Sequence, residues 1–433
     1  MFSFPVIGLM VSCVGAPVAG EREAQSRVAA EGRVFSAAAP GLPAVDGGGD
    51  LPAYTRYALW KNPAVRAAYL RWQSAVAGST VARSQPDPKL TLQFDYDGGL
   101  TSLMPGAMFD YMARGKREAM GTSALAGGEM AYRDYVAVQL SVAGDLRNAW
   151  IDLASAEESL SLQRELLAAY EQAAATASDD YVTGRGDGLT EIVKLRNEAA
   201  RQRSQLDIAV ERRNASRAAF KAVLGLRPGE ADPVWPTARL SASVLPDEDS
   251  LWKAVEASNP DLGKLRAAVT QAVADMDVAR ASRSPDYSLG AMADVKMNPI
   301  VWRPQASMTL PIWKDKLAAE IAVADARAGA ARADVDARRI TLAAELAQAF
   351  YEVRAADSTL RFLDGAALPS LETAQAMAAA GLQSGTGMAS APAMARVEIA
   401  MARLERVEAL RMRERAATKL LLLGAGLAPD AGK

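Results

Sequence analysis

The 433-residue chain has no histidine and one cysteine, Cys13. Without imidazole there is no histidine base, no Ser-His-Asp machinery and no ordinary zinc site. One thiol supports neither a disulfide framework nor a thiolate cluster. Charge of a dominant sign is missing too: 49 Lys plus Arg nearly balance 51 Asp plus Glu, a net −2. That balance argues against the basic surface of a nucleic-acid binder. Aromatics are scarce, 6% of residues against 50% hydrophobic overall, so there is little to fill a thick globular core. Much of the apolar content is alanine, which suits long, closely packed helices. No convergent acid, base or nucleophile set is visible, so no catalytic residue, metal site or cofactor is assigned and an enzyme is not expected.

Long apolar runs are also missing, except at the N-terminus. Residues 2–19 carry no charge and contain Val6-Ile7-Gly8-Leu9-Met10-Val11 followed by small residues. Residues 1–19 therefore read as a signal or lipoprotein-type segment. Val14-Gly15-Ala16 resembles a small-x-small cleavage site, while Met10-Val11-Ser12-Cys13 resembles a degenerate lipobox that would make Cys13 the lipidated residue. Residues 20–50 are rich in Ala, Gly and Pro and read as a disordered or extended linker. Since no later stretch has the apolar length of a membrane helix, any membrane crossing must use strands.

What is present is a duplication. Asn62-Pro63-Ala64 recurs as Asn259-Pro260-Asp261, and Val81-Ala82-Arg83 as Val278-Ala279-Arg280, both at an offset of 197. Ala149-Trp150-Ile151-Asp152-Leu153 matches Ala349-Phe350-Tyr351-Glu352-Val353 at an offset of 200. Val223-Leu224-Gly225 matches Leu422-Leu423-Gly424. The repeats are placed at 51–225 and 249–425, with a proline-containing connector at 226–248 and a tail at 426–433. Each reads as a helix opening at Asn-Pro, two strands, a very long helix (116–181, 314–380), a glycine-rich turn and a return helix (189–224, 388–423). Gly121, Gly127, Gly128 and Gly144 are expected to kink or break the first long helix near its start.

The strands separate this layout from a plain coiled-coil bundle. Leu90, Leu92, Phe94 and Tyr96 alternate with Thr91, Gln93, Asp95 and Asp97. Tyr287, Leu289, Ala291, Ala293, Val295 and Met297 alternate with mostly polar residues, and a further strand is expected over 305–312. The second strand, placed near 107–114, is the least regular. One apolar and one polar face suit a transmembrane barrel around water, and four strands are too few to close one, so several chains must share it.

In order and repetition the sequence resembles TolC-type outer membrane efflux proteins, over roughly residues 51–425. The residues that carry the likeness are the two Asn-Pro openings, Thr309-Leu310-Pro311-Ile312-Trp313 after the last strand, Tyr181-Val182-Thr183-Gly184 at the turn, and the Leu-Gly endings. The resemblance implies a mainly α fold with a small β part. In it a homotrimer shares one transmembrane β-barrel, four strands per chain, and a long α-helical barrel. It implies the outer membrane of a Gram-negative bacterium as the location, reaching into the periplasm, with outer membrane lipid as surroundings. The partners implied are a periplasmic adaptor (membrane fusion) protein and an inner-membrane pump of the resistance-nodulation-division type. The work would be passive conduction in a tripartite efflux system. A non-transporting helical scaffold of the periplasm is the alternative.

Within that family, residues 112–118 resemble the proline-glycine-lysine segment of heavy-metal-efflux members, with Arg114 where proline is usual. Metal cations therefore lead as substrate, ahead of drugs and other small molecules. Met104, Met108 and Met112 invite a soft-metal reading, but methionines four apart fit gap-filling better. By the resemblance, the turns place Tyr181, Gly184, Asp187, Gly188, Glu191, Gly385 and Gly387 at a periplasmic tip that gates the tunnel and meets the adaptor. Asp179, Asp180, Asp187 and Glu191 are candidates for an acidic ring there.

Overall fold

The computed structural model describes residues 16–36, 51–184, 188–235 and 240–425. The described chain runs α1 (Glu21–Ser36), α2 (Leu51–Lys61), α3 (Pro63–Ala82), β1 (Lys89–Tyr96), β2 (Leu100–Tyr111), α4 (Arg114–Val182) and α5 (Leu189–Val223). The second repeat follows as α6 (Glu248–Ser258), α7 (Pro260–Ala281), β3 (Tyr287–Asp294), β4 (Val301–Met308), α8 (Lys314–Phe362), a π-helical turn (Leu363–Ala367), α9 (Leu368–Gln383) and α10 (Ala391–Leu423). The duplication is thus visible element by element. Asn62 and Asn259 stand at joints between two helices. The Asn62 side chain accepts the Ala64 N–H at 2.9 Å, and it donates to the Val223 carbonyl as Asn259 does to the Leu423 carbonyl.

By internal contacts the chain forms two compact units. One comprises Met1–Ala37, Arg66–Ala137 and Pro260–Ile340; the other comprises Ala38–Val65, Val138–Asn259 and Thr341–Lys433.

The first unit holds one antiparallel sheet in the order β1-β2-β3-β4, so the two repeats join through β2 and β3. Its helical part corrects the linker expected over 20–50. Residues 21–36 contain no proline and bury Ala24 and Val28, one turn apart, together with Glu21. The Glu21 carboxylate meets the Arg83 guanidinium at 2.7 Å, the Thr80 hydroxyl at 2.7 Å and the Val18 N–H at 3.0 Å. Phe35 packs on Tyr69, their ring centroids 5.0 Å apart. Composition averaged over 20–50 hid this helix.

Three further expectations change. Strand β2 begins at Leu100 and β4 at Val301, both earlier than expected, because the apolar alternation continues through Leu103 and Pro105 and through Trp302 and Pro304. Helix α4 runs unbroken across all four glycines. In the first unit a Cβ at Gly121 would stand 2.9 Å from the Val18 Cγ1, and in the second a Cβ at Gly144 would stand 2.5 Å from Leu422. These are sites of close approach rather than breaks. The second long helix, by contrast, is interrupted by the π-turn.

The second unit is helical. Tyr54, Trp150 and Phe220 form an aromatic cluster with centroids 5.4–6.3 Å apart, and the Tyr54 hydroxyl donates to the connector carbonyl of Val234. Buried Arg413 ties the connector down, bonding Asp357 at 2.8 Å and the Ser243 carbonyl at 2.7 Å, with Glu414 beside it. Elsewhere Leu166, Ala169, Tyr170, Ala173 and Ala177 of α4 pack on Ile192, Leu195 and Ala199 of α5 and on Ala393, Val397 and Ala400 of α10. Alanine on three helices lets them approach closely.

Candidate functional site: a two-faced sheet and two helical turns

The sheet's register sorts its side chains onto two faces. One carries Leu90, Leu92 and Phe94 of β1, then Leu103, Pro105, Ala107 and Phe109 of β2. It continues with Tyr287, Leu289, Ala291 and Ala293 of β3 and with Trp302, Pro304, Ala306 and Met308 of β4. No helix of the described residues covers it: Leu90 is 87% exposed and Trp302 70%. No helix of the described residues is long and apolar enough to cross a membrane.

The opposite face is polar. Asp110 accepts from Ser288 at 2.6 Å and pairs with Lys89 at 2.7 Å. Asp294, buried, accepts from Ser102 at 2.8 Å and lies 3.7 Å from Arg303. Between these two pairs sit Met104 and Met108 of β2 and Met292 of β3. Sequence reasoning missed Met292, because only the β2–β3 register shows that it shares a face with Met104. Met112 lies past the end of β2, its N–H bonded to Gln85. Lys116, in the segment with the heavy-metal resemblance, meets Asp286 at 2.7 Å, and Asp286 also accepts the Ala113 N–H. That segment thus clasps the end of β2 to the start of β3. Among the described residues, no group of three or more His, Cys, Asp or Glu could hold a metal.

The two turns lie in the second unit. Gly184 and Gly385 take left-handed φ of 73° and 74°, and each donates its N–H to a carbonyl three residues back, Tyr181 and Leu382. They are equivalent positions that only glycine occupies without strain. Gly188 begins α5 with φ 97°. Gly387 lies against Gly381, where a Cβ would approach the backbone to 3.0 Å. Asp187 and Cys13 fall outside the described residues.

Of the four acids expected in a ring, Asp179, Asp180 and Glu191 lie among the described residues, in three different settings. Asp180 is only 6% exposed and accepts the N–H groups of Ala389 and Ser390, each at 3.2 Å. It therefore caps the start of α10 and links one turn to the other. Asp179 is exposed, and Glu191 lies 3.5 Å from Lys194 on the surface of α5. Tyr181, expected at the tip, is exposed around the turns together with Val182, Leu189 and Met388, which the sequence reading did not name.

Residues 251–425, the second repeat, match the model of the outer membrane efflux protein family. No curated protein matches the chain by sequence. Its fold resembles solved channels. Crystal structures of CusC, described for channel formation, match at TM-score 0.72 and 18% identity over 86% of this chain and 91% of that one. The outer-membrane channel OprN matches at 0.74 and 18% over 92% and 96%. The open state of the Neisseria gonorrhoeae MtrE channel matches at 0.73 and 19% over 88% and 91%. The mainly α fold with a small sheet is that of TolC-type channels.

Proposed function

We propose that the chain is a member of the outer membrane efflux protein family, whose model matches its second repeat, and that it is the passive outer membrane channel of a tripartite efflux system. The carrying observation is the sheet: four strands with one uncovered apolar face and, among the described residues, an unpaired outer edge on both β1 and β4. In hydrocarbon an open edge leaves backbone groups unsatisfied at several kcal/mol each. Closure by further copies removes both edges, as in a trimer sharing twelve strands. The apolar face then meets outer membrane lipid and the polar face meets water.

The repeats 51–225 and 249–425 would each supply two strands and their helices to the shared walls. The turns bearing Tyr181, Gly184, Gly188, Gly385 and Gly387 would form the periplasmic tip that meets an adaptor protein, with an inner-membrane pump supplying energy. Asp179 and Glu191 are the acids left to face the mouth, joined by Asp187. Metal cations lead as cargo on the resemblance of residues 112–118, ahead of drugs and other small molecules.

Migration as a heat-resistant trimer from an outer membrane fraction supports the channel. Recovery as a soluble monomer overturns it in favour of a periplasmic scaffold. A deletion strain no more sensitive than its parent to copper, silver, zinc, cobalt and cadmium removes metals from first place.

A further inference from the structure

We infer that Met104, Met108 and Met292 form a thioether station for a soft monovalent cation, Cu(I) or Ag(I), on the polar face of the sheet. From β1 to β3 this face reads Lys89, Thr91, Gln93, Asp95, then Ser102, Met104, Gly106, Met108, Asp110, then Ser288, Gly290, Met292, Asp294. Over these three strands its apolar side chains are methionine, while β4 adds Arg303, Gln305 and Ser307, with Val301 beside Asp294. Methionine also fills gaps, but among apolar side chains only its thioether ligates a soft cation.

The register makes the three neighbours on one face. Met292 pairs with Gly106, which lies between Met104 and Met108 on β2, and Met108 pairs with Gly290. A Cβ at residue 106 would stand 2.3 Å from the Met292 Cγ, so the Met292 side chain lies across the glycine, flanked by both β2 methionines. Met104 is 2% exposed and Met292 7%. The harder ligands nearby are committed elsewhere, Asp110 to Lys89 and Ser288, and Asp294 to Ser102 and Arg303. Such a site takes a soft ion through sulfur and offers little to Zn²⁺.

That this face lines a lumen rests on the channel proposed above; cation binding does not, so the two can fail separately. The test uses the purified full-length chain in detergent, its thiol blocked by alkylation, titrated with Ag⁺ in a calorimeter. The expected result is a saturable step of about one Ag⁺ per chain that Zn²⁺ does not reproduce. Losing a supporting neighbour of a metal ligand already costs 10–100-fold, so losing a ligand should weaken binding by roughly tenfold or more. Met104→Leu and Met292→Leu should show that loss, and Met377→Leu, an exposed methionine of α9, should show none. Leucine conserves volume, and silver X-ray absorption on the unaltered protein should show a sulfur-only shell whatever the variants do. No saturable step, equal binding by the Met292→Leu and unaltered chains, or an oxygen-nitrogen shell would each overturn the site.

Discussion

Replacing Asp180 by alanine removes the carboxylate that joins the two helical turns. Its oxygens accept the Ala389 and Ser390 N–H groups, each at 3.2 Å. These donors lie just ahead of α10 (Ala391–Leu423), where no preceding helical turn satisfies them. A bond to a charged acceptor contributes 1.5–3 kcal/mol, but such bonds are normally 2.7–2.9 Å long. At 3.2 Å each is better put at about 1 kcal/mol, or about 2 kcal/mol for the pair. That is roughly a 30-fold rise in the opening equilibrium of this segment. Amide hydrogen exchange at residues 389 and 390 measures it directly, with an Asp179→Ala variant as control because that carboxylate is exposed. Asp180→Asn should fall between, since an amide oxygen accepts one N–H well while its NH₂ faces the other donor. Unchanged exchange in the Asp180→Ala variant would refute the link and return Asp180 to the candidates for an acidic ring.

Ala425→Gly should stabilise the protein by about 1 kcal/mol, because Ala425 holds φ 55° where its repeat counterpart is Gly225 at 77°; an unchanged Tm would count against that equivalence. Burial of Glu21 works to raise its pKa, but the bonds from Arg83, Thr80 and the Val18 N–H outweigh it and hold it below the usual 4.5. The resulting stability is present above the unfolded value and lost as pH falls through the lowered one, so protection of the Ala24 and Val28 amides, corrected for the intrinsic pH dependence of exchange, should fall on acidification through that range. Glu21→Gln should cost about 3 kcal/mol at neutral pH and abolish that pH dependence. Deleting Gly365 together with Pro369→Ala should close the π-turn into plain α-helix and leave the proposed trimer intact. Deleting Ala168 from α4, which has no such turn to absorb the change, should rotate the following residues by about 100° and abolish trimers.

The parts legible in the sequence were those written in short-range periodicity. Alternation at Leu90, Leu92, Phe94 and Tyr96 marked β1 and its exposed face, and glycine marked both turns. What escaped was set by partners distant in sequence. Nothing around Glu21 announces a buried acid until Arg83, 62 residues on, is brought beside it. Met292 joins Met104 and Met108 only through strand register, and nothing near Asp180 in sequence announces that it caps Ala389 and Ser390, 209 and 210 residues on.

The repeat arithmetic shows how far the sequence carried and where it stopped. Buried Leu146, Ala149 and Leu153 find their counterparts in Leu346, Ala349 and Val353, 200 residues on, yet the equivalent turn glycines 184 and 385 are 201 apart. One extra residue must therefore enter the second repeat between them, and a helix takes in one residue by widening to a π-turn. The structure has that turn at Leu363–Ala367, with the Leu368 N–H reaching the Leu363 carbonyl. Pro369 lies just beyond it, lacking the N–H that an uninterrupted α-helix would require there. The return helices restore the offset of 200, since Asn62 and Asn259 bond to the carbonyls of 223 and 423. The Leu-Gly endings, matched by letter at 199, are therefore one residue out of register, and Ala425 rather than Gly424 occupies the left-handed position of Gly225. Letter identity located the duplication, whereas hydrogen bonding and φ decide which residues are equivalent within it.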